Sequence, residues 1–230
     1  MIVRGFAAAG ATVYLAARNV EAATALAAEV PGASALPADL STLGGVEALA
    51  ATMAERVESL DILVNNAGAT WGEPIESFSE QGWDKVLDLN VKGLFFLTKS
   101  LHPMLAAAST AERPSRVINV ASIDGIRVTS FESYSYAASK AAVIHLTKVL
   151  ARRLGQDNIN VNAIAPGLFP SKMTQFIFEN LEEQLLAEIP QGRPGNAADM
   201  AGTAIYLASP ASNYMTGQTL VIDGGVTGTA

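Results

Sequence analysis

The sequence predicts an α/β fold built on a parallel sheet, and three observations lead there. Strand-like and helix-like runs alternate along the chain, which implies right-handed βαβ crossovers. Three of the strand-like runs, ILVNN, VINVA and VNAIA, are nearly continuously apolar, as strands buried on both faces of a parallel sheet are. With 230 residues, half of them apolar, and a mean hydropathy of +0.27, the chain has the size and material for one buried core.

The elements follow in order. The opening MIVRGFAAAGATVYLAAR has the early Arg4 and apolar run of a signal peptide. It also reads as the end of a helix, FAAAG with Gly10 at its stop, followed by a strand at 12–17. That second reading connects to everything downstream and is preferred. A helical segment at 20–30 leads to ASALPADL at 33–40, and an amphipathic stretch at 46–57 leads to LDILVNNAG at 60–68. A helical pattern from about 81 to 107 precedes RVINVAS at 116–122. Another, from about 134 to 154, precedes NINVNAIAPG at 158–167. A helix at 197–207 and the strand QTLVID at 218–223 complete the regular pieces. No internal repeat, low-complexity tract or linker interrupts the pattern, so residues 1–230 read as a single domain.

Composition excludes several functions. The net charge of −7, with a pI near 4.8 and no Lys/Arg cluster, is not the footprint of a DNA- or RNA-binding protein. The absence of cysteine removes disulfides and thiolate metal sites and fits a reducing cytoplasm. His102 and His145, the two histidines, are expected to be structural or surface residues, and no metal is implied. No run of 18 or more apolar residues suggests a membrane span.

In open α/β sheets, ligands bind beyond the carboxyl ends of the strands, and NNAG, VAS and APG all fall at such ends. The stretch SYSYAASK, 133–140, adds chemistry there. On a helix, residues four apart lie one above the other, so Tyr136 and Lys140 meet while Tyr134 points elsewhere. An ammonium beside a phenol favours the phenolate and is expected to pull its pKa down from about 10.

These motifs together resemble the short-chain dehydrogenase/reductase family. NNAG at 65–68, Ser122 after a strand, Tyr136/Lys140, Pro166-Gly167, Asn90 in LNVKG and the closing IDGG at 222–225 stand in the family's order. Within the family, NNAGATWG, NVNAIAPGLFPSKMT and YMTG most resemble 3-oxoacyl-carrier-protein reductases of the type associated with rhamnolipid biosynthesis. The resemblance implies a Rossmann-type doubly wound sheet and a cytoplasmic oxidoreductase of fatty-acid metabolism, active as a homo-tetramer or homo-dimer on a small ketone or alcohol. It implies catalytic roles for Asn90, Ser122, Tyr136 and Lys140. Tyr136 donates the proton, Lys140 lowers its pKa and reaches the cofactor ribose, and Ser122 holds the carbonyl oxygen. Asn90 maintains a water and proton relay near the lysine.

Cofactor contacts are carried over to Arg18, Asp39, Leu40, Asn66, Ala67, Gly68, Tyr136, Lys140, Pro166, Gly167 and Ser171. Asn66 to Gly68 run along the adenosine side, Asp39 reaches the adenine amino group or caps a helix, and Ser171 takes the place of a threonine near the carboxamide. Arg18 follows the strand at 12–17, where an acid would bind a ribose 2′-hydroxyl. An arginine there suits a 2′-phosphate, so NADPH (NADP+) is the expected cofactor. Tyr134 reads as a substrate contact or as packing. Phe169, Met173, Phe176, Ile177 and Phe178, in the expected lid at 168–190, line an acyl pocket on one reading and form core on the other.

Two features depart from the family pattern. The gap from Ser122 to Tyr136 is one residue longer than usual, so the loop between them is expected to be altered. The glycine-rich turn T-G-x-x-x-G-x-G and the strand before it are absent. The family sheet order, 3-2-1-4-5-6-7, makes that strand central. Its loss is expected to leave the neighbouring strands without backbone partners and to open an apolar slot, as in a chain cut from a longer protein that folds poorly and binds cofactor weakly. Three functions therefore compete: an NADPH-dependent 3-oxoacyl thioester reductase, a reductase of a sugar, quinone or other small ketone, and a non-catalytic remnant of the fold.

Overall fold

Turn residues and side-chain caps set the ends of most elements. The computed structural model describes residues 1–229, the side chains of Ile177, Glu182, Gln184 and Leu185 excepted. Helix α1 (Ile2–Ala8) is followed by Gly10 at φ +88°, a left-handed turn that costs glycine little, and then by strand β1 (Val13–Ala17). Asn19 starts α2 (Val20–Glu29) by accepting from the Ala22 amide at 2.9 Å. Strand β2 (Ala33–Pro37) follows, and Thr42 caps α3 (Leu43–Arg56) through the Gly45 amide at 3.1 Å. After β3 (Ile62–Asn65) the long pattern near 81–107 resolves into three pieces. These are α4 (Glu80–Leu87), a π-helical turn at Asp88–Gly93, and α5 (Leu94–Ala108). The wider turn rotates α5 relative to α4 and sits where Asn90 enters the site.

Strand β4 (Ser115–Val120) leads through a 3₁₀ turn (Ile123–Gly125) to α6 (Tyr134–Leu154), whose range is the one expected. Strand β5 (Ile159–Pro166) follows, with two short helices beyond it, α7 (Gln175–Asn180) and α8 (Glu182–Ala187), in the expected lid. Asn196 and Asp199 form a reciprocal capping box at the start of α9 (Ala197–Ala208), and β6 (Thr219–Ile222) is the last strand.

All strand pairs are parallel, but they form two sheets: β1-β2, and β3-β4-β5-β6. Among the described residues no ladder joins β1 to β3. The division falls where the sequence places an absent central strand, so the expected loss of partners is what the sheet shows. Alternate side chains feed two apolar layers. On one face Leu63, Val117 and Val161 pack with Leu49 and Met53 of α3 and Leu101 and Leu105 of α5. On the other, Ile118 and Ile164 pack with Phe6 of α1 and Met200, Ala204 and Leu207 of α9. Each such side chain contributes about 1.5–3 kcal/mol when fully buried. Both central strands, β4 and β5, are buried almost throughout, which fixes the carboxyl edge where the polar residues gather.

His102 and His145 conform to the structural reading. His102 pairs with Asp157 at 2.9 Å, and His145 lies on exposed α6 surface. Among the described residues no helix is long and apolar enough to cross a membrane, and no cluster of His, Cys, Asp and Glu is placed to hold a metal.

Candidate active site

Helical spacing stacks Tyr136 and Lys140 on one flank of α6, and the end of β4 brings Ser122 to them. The Lys140 ammonium nitrogen lies 5.5 Å from the centre of the Tyr136 ring. Lys140 is 5% exposed and donates to the Val120 carbonyl at 2.7 Å, so it is tied to the strand end that delivers Ser122. Burial pushes its pKa down to about 8. Burial also raises the Tyr136 phenol above its usual value; the facing Ser122 hydroxyl opposes this, and the nearby Asp124 charge adds to it. The expected lowering of the tyrosine by its lysine is therefore not what the structure shows. Desolvation outweighs the neighbouring charge, and Lys140 is itself driven toward neutrality by the same burial.

Ser122 is buried and accepts from the Asp124 amide at 3.1 Å, which turns the chain into the 3₁₀ segment. Gly125 seats that segment on α6. A Cβ there would stand 2.5 Å from the Lys140 carbonyl carbon and 2.7 Å from the Ala141 nitrogen. Both are backbone atoms that cannot swing away. Gly125→Ala is expected to push Ser122 from the phenol, cutting turnover roughly 10²-fold, as misplacement by about 1 Å does. Steady-state rates alongside a thermal melt check this, and a variant with wild-type turnover would show that the seat does not matter.

Asn90, buried in the π-helical turn, works as a clamp. Its Oδ1 accepts from the Ala69 amide at 2.8 Å, and its Nδ2 donates to the Ala69 carbonyl and to Ser139 Oγ, each at 2.9 Å. Ser139 in turn donates to the Tyr136 carbonyl at 2.7 Å. Asn90 thus joins the loop after β3 to the helix carrying Tyr136 and Lys140, and its amide is spent on protein groups instead of a water relay. Gly93 closes the same turn against the Leu40 carbonyl, which would lie 2.1 Å from an added Cβ.

The cofactor-side residues form a second group. Arg18, Pro37, Ala38, Asp39, Gly45 and Ala48 line a cleft of about 410 Å³. Asp39 accepts from the Ser41 hydroxyl at 2.6 Å and amide at 3.0 Å. These bonds, with a smaller contribution from Arg18, hold its carboxyl below the usual range. Asp39 is thus fixed by Ser41 and does not cap α3, a task taken by Thr42. Arg18 is exposed and makes no ion pair among the described residues. Asn66 and Ala67 are exposed at the end of β3, and a Cβ on Gly68 would come within 3.4 Å of Asn90 Oδ1 and 3.7 Å of the Lys140 nitrogen. A side chain there would fill the space in front of the lysine. Pro166 and Gly167 close β5, with the Gly167 amide donating to Ile222 at 3.0 Å. Ser171 turns away into a pair with Thr174 at 3.0 Å.

The acyl-pocket reading fares differently residue by residue. Phe169 is core, and its ring packs on Gly195 so closely that a Cβ there would lie 2.3 Å away. Met173 and Phe176 are exposed, Phe178 is half-buried, and the Ile177 side chain lies outside the described residues. Tyr134 donates to Glu132 at 3.0 Å and packs edge-on against Phe78, a packing role at the rim. The lengthened loop after Gly125 carries the fully exposed Val128, and its Arg127 approaches Glu188 of the lid at 3.8 Å. Ser139, Asp124 and Gly125 escape sequence reasoning. Ser139 lies between Tyr136 and Lys140 in SYSYAASK, and Asp124 and Gly125 fall in the altered loop.

Known proteins share this arrangement. The family described as "Enoyl-(Acyl carrier protein) reductase" matches residues 1–227. A rhamnolipids biosynthesis 3-oxoacyl-[acyl-carrier-protein] reductase of Pseudomonas aeruginosa is 44% identical, over 98% of this chain and 90% of its own length. The structure of Pseudomonas aeruginosa RhlG in an NADP active-site complex superposes with a TM-score of 0.93 at 44% identity, covering 98% of this chain and 90% of that one. A gluconate 5-dehydrogenase from Burkholderia cenocepacia, in complex with NADP and tartrate, gives 0.91 at 30% identity, covering 100% and 90%. A tyrosine, a lysine and a serine gathered at the carboxyl edge of a parallel sheet, in a chain that matches these proteins over nearly its whole length, place it in the short-chain dehydrogenase/reductase family of oxidoreductases.

Proposed function

We propose that residues 1–230 form one dinucleotide-binding and catalytic domain that reduces a ketone with NADPH, a 3-oxoacyl thioester being the first substrate class. The observation that carries this reading is the convergence of Ser122, the half-buried Tyr136 phenol and the buried Lys140 ammonium at one strand edge.

Part of the chain fits the cofactor well. The unpaired Arg18 guanidinium beside Asp39 suits a ribose 2′-phosphate, and the space that Gly68 leaves before Lys140 suits a ribose. The pyrophosphate has no such seat, because the sequence holds no glycine-rich turn. When bound, NADPH supplies the hydride. The chain's own residues do the rest. Ser122 Oγ donates to the carbonyl oxygen and stabilises the charge that grows there. Tyr136, kept neutral by burial, gives up its phenolic proton to that oxygen. Lys140, anchored on Val120, holds the cofactor ribose and compensates the phenolate left behind. Asn90 acts as a positioning residue through Ala69 and Ser139.

Arg18→Glu is expected to raise the Kd for NADPH about 10–100-fold, the size of one lost charge-assisted contact, and to leave that for NADH nearly unchanged. Fluorescence titration of both nucleotides reads the split, and an equal loss for both would remove Arg18 from 2′-phosphate recognition.

A second substrate class is favoured by one observation: Phe169 is core while Met173 and Phe176 face outward, leaving no closed aliphatic tunnel among the described residues. Together with the likeness to a gluconate 5-dehydrogenase, this suits a short polar ketone. A panel of 3-oxoacyl thioesters of rising length, 2-keto sugar acids and simple ketones, ranked by kcat/KM, separates the two classes. Preference for a sugar acid would replace the thioester, and no turnover of any member with bound NADPH would leave a non-catalytic remnant. Assembly as a homo-tetramer or homo-dimer through α4–α5 and α6, and a cytoplasmic setting, belong to the same proposal.

A further inference from the structure

We propose that the gap between β1 and β3 is a one-strand slot that takes a single uncharged, apolar extended segment, running parallel to both and zipping the two sheets into one. Edge strands are ordinarily blunted by charge, proline or a covering element. VYLAA of β1 and ILVN of β3 carry no charge and no proline. Their composition matches that of β4 and β5, yet their burial does not. Val117, Ile118, Val161 and Ile164 are 0–1% exposed, while every residue of β1 and both Ile62 and Val64 of β3 stay half-exposed.

The floor and roof of the slot already exist. Tyr14 and Ala16 of β1 join the same apolar layer as Leu63 of β3, and Val13 joins the same opposite layer as Ile62 and Val64. Side-chain alternation therefore keeps the same phase on both sides of the gap, as it does across a continuous sheet. The carboxyl ends also agree in direction. Leu40, after β2, lies against Gly93 of the turn whose Asn90 clamps Ala69, after β3. Asn65, at the end of β3, donates to Thr98 and Asn119 but leaves its buried Oδ1 without a donor among the described residues. A strand about 4.8 Å from each neighbour would complete both backbone ladders, and its outward side chains would enter two layers already built for them. Charge complementarity selects the occupant: the walls are neutral and apolar, so a charged strand would be desolvated without a partner.

The test adds to the whole chain a short peptide of alternating valine, isoleucine and alanine, with lysines only at its ends. A control peptide carries proline at its centre. Amide hydrogen exchange and thermal melts are read with each. The apolar peptide is expected to slow exchange at least tenfold in both 13–17 and 62–65, and to raise Tm by about 5 °C or more. The proline peptide should do neither. Joining the same two segments to Met1 through a short flexible linker repeats the comparison if the free peptide aggregates. Three results would overturn the slot: protection on one strand only, which is edge addition; equal effects from both segments; or protection without peptide that rises with protein concentration, which is occupation by a second copy.

Discussion

Tyr136→Phe is expected to lower kcat for ketone reduction by about 10²–10⁴-fold, the usual worth of a positioned acid, while the Kd for NADPH and the melting temperature barely move. The ring remains to fill its half-buried site, and only the hydroxyl facing Ser122 is removed. No other group takes over its work. The nearest titratable neighbours are Lys140, held on the Val120 carbonyl, and Asp124, whose own carboxyl is raised by burial and steadied by Arg127. Because burial raises the phenol's pKa, the acid is fully protonated at neutral pH, and reduction should fail only as pH rises through that raised value. Steady-state kinetics with a fluorescence titration of NADPH separate the outcomes. Less than a tenfold fall in kcat would assign the proton to another donor.

Lys140→Met is expected to cost a comparable share of turnover and also to change the pH dependence of stability. Burial lowers the lysine from its ordinary value of 10.5 to about 8. Between those two values the unfolded chain binds more protons than the folded one, so this group makes stability rise with pH across that window. Below about pH 8 the cost of the buried charge is present in full. Methionine fills a similar volume without the charge, so the variant should lose the upward slope between pH 8 and 10 while sparing the neutral-pH melt. The freed Val120 carbonyl, worth about 1–3 kcal/mol if left unsatisfied, offsets part of that gain. Melts across pH, with kcat at pH 7, check both halves. An unchanged slope would mean that Lys140 titrates like an exposed lysine, and activity within tenfold of wild type would remove it from the chemistry.

What the sequence made legible was whatever depends on local periodicity. The range of α6 and the stacking of Tyr136 on Lys140 follow from spacing alone, as do the apolar strands that place Ser122 and Gly68 at one edge. The π-helical turn was hidden because one extra residue inside a helix leaves both flanks with ordinary patterns. Ser139 was hidden because its partner, Asn90, lies 49 residues away, and a serine on a helix carries no signal of its own. Phe169 was ambiguous because core and pocket use the same side chain, and only its contact with Gly195 decides between them. The tyrosine pKa was misjudged for a related reason. Spacing shows that a charge is near, but the depth of burial, which here dominates, is a property of the whole fold. The divided sheet was foreseen because an absent central strand removes partners from two known neighbours.

Everything in the mechanism requires a neutral phenol at Tyr136 that holds a proton to give. The most direct measurement is the ultraviolet difference titration of the wild-type chain against Tyr136→Phe, read at the phenolate band from pH 6 upward. Ionisation only above the ordinary tyrosine range of about 10 is the predicted curve. A phenolate step near pH 7 would instead make Tyr136 a base in the resting protein, and the proton in ketone reduction would have to come from elsewhere.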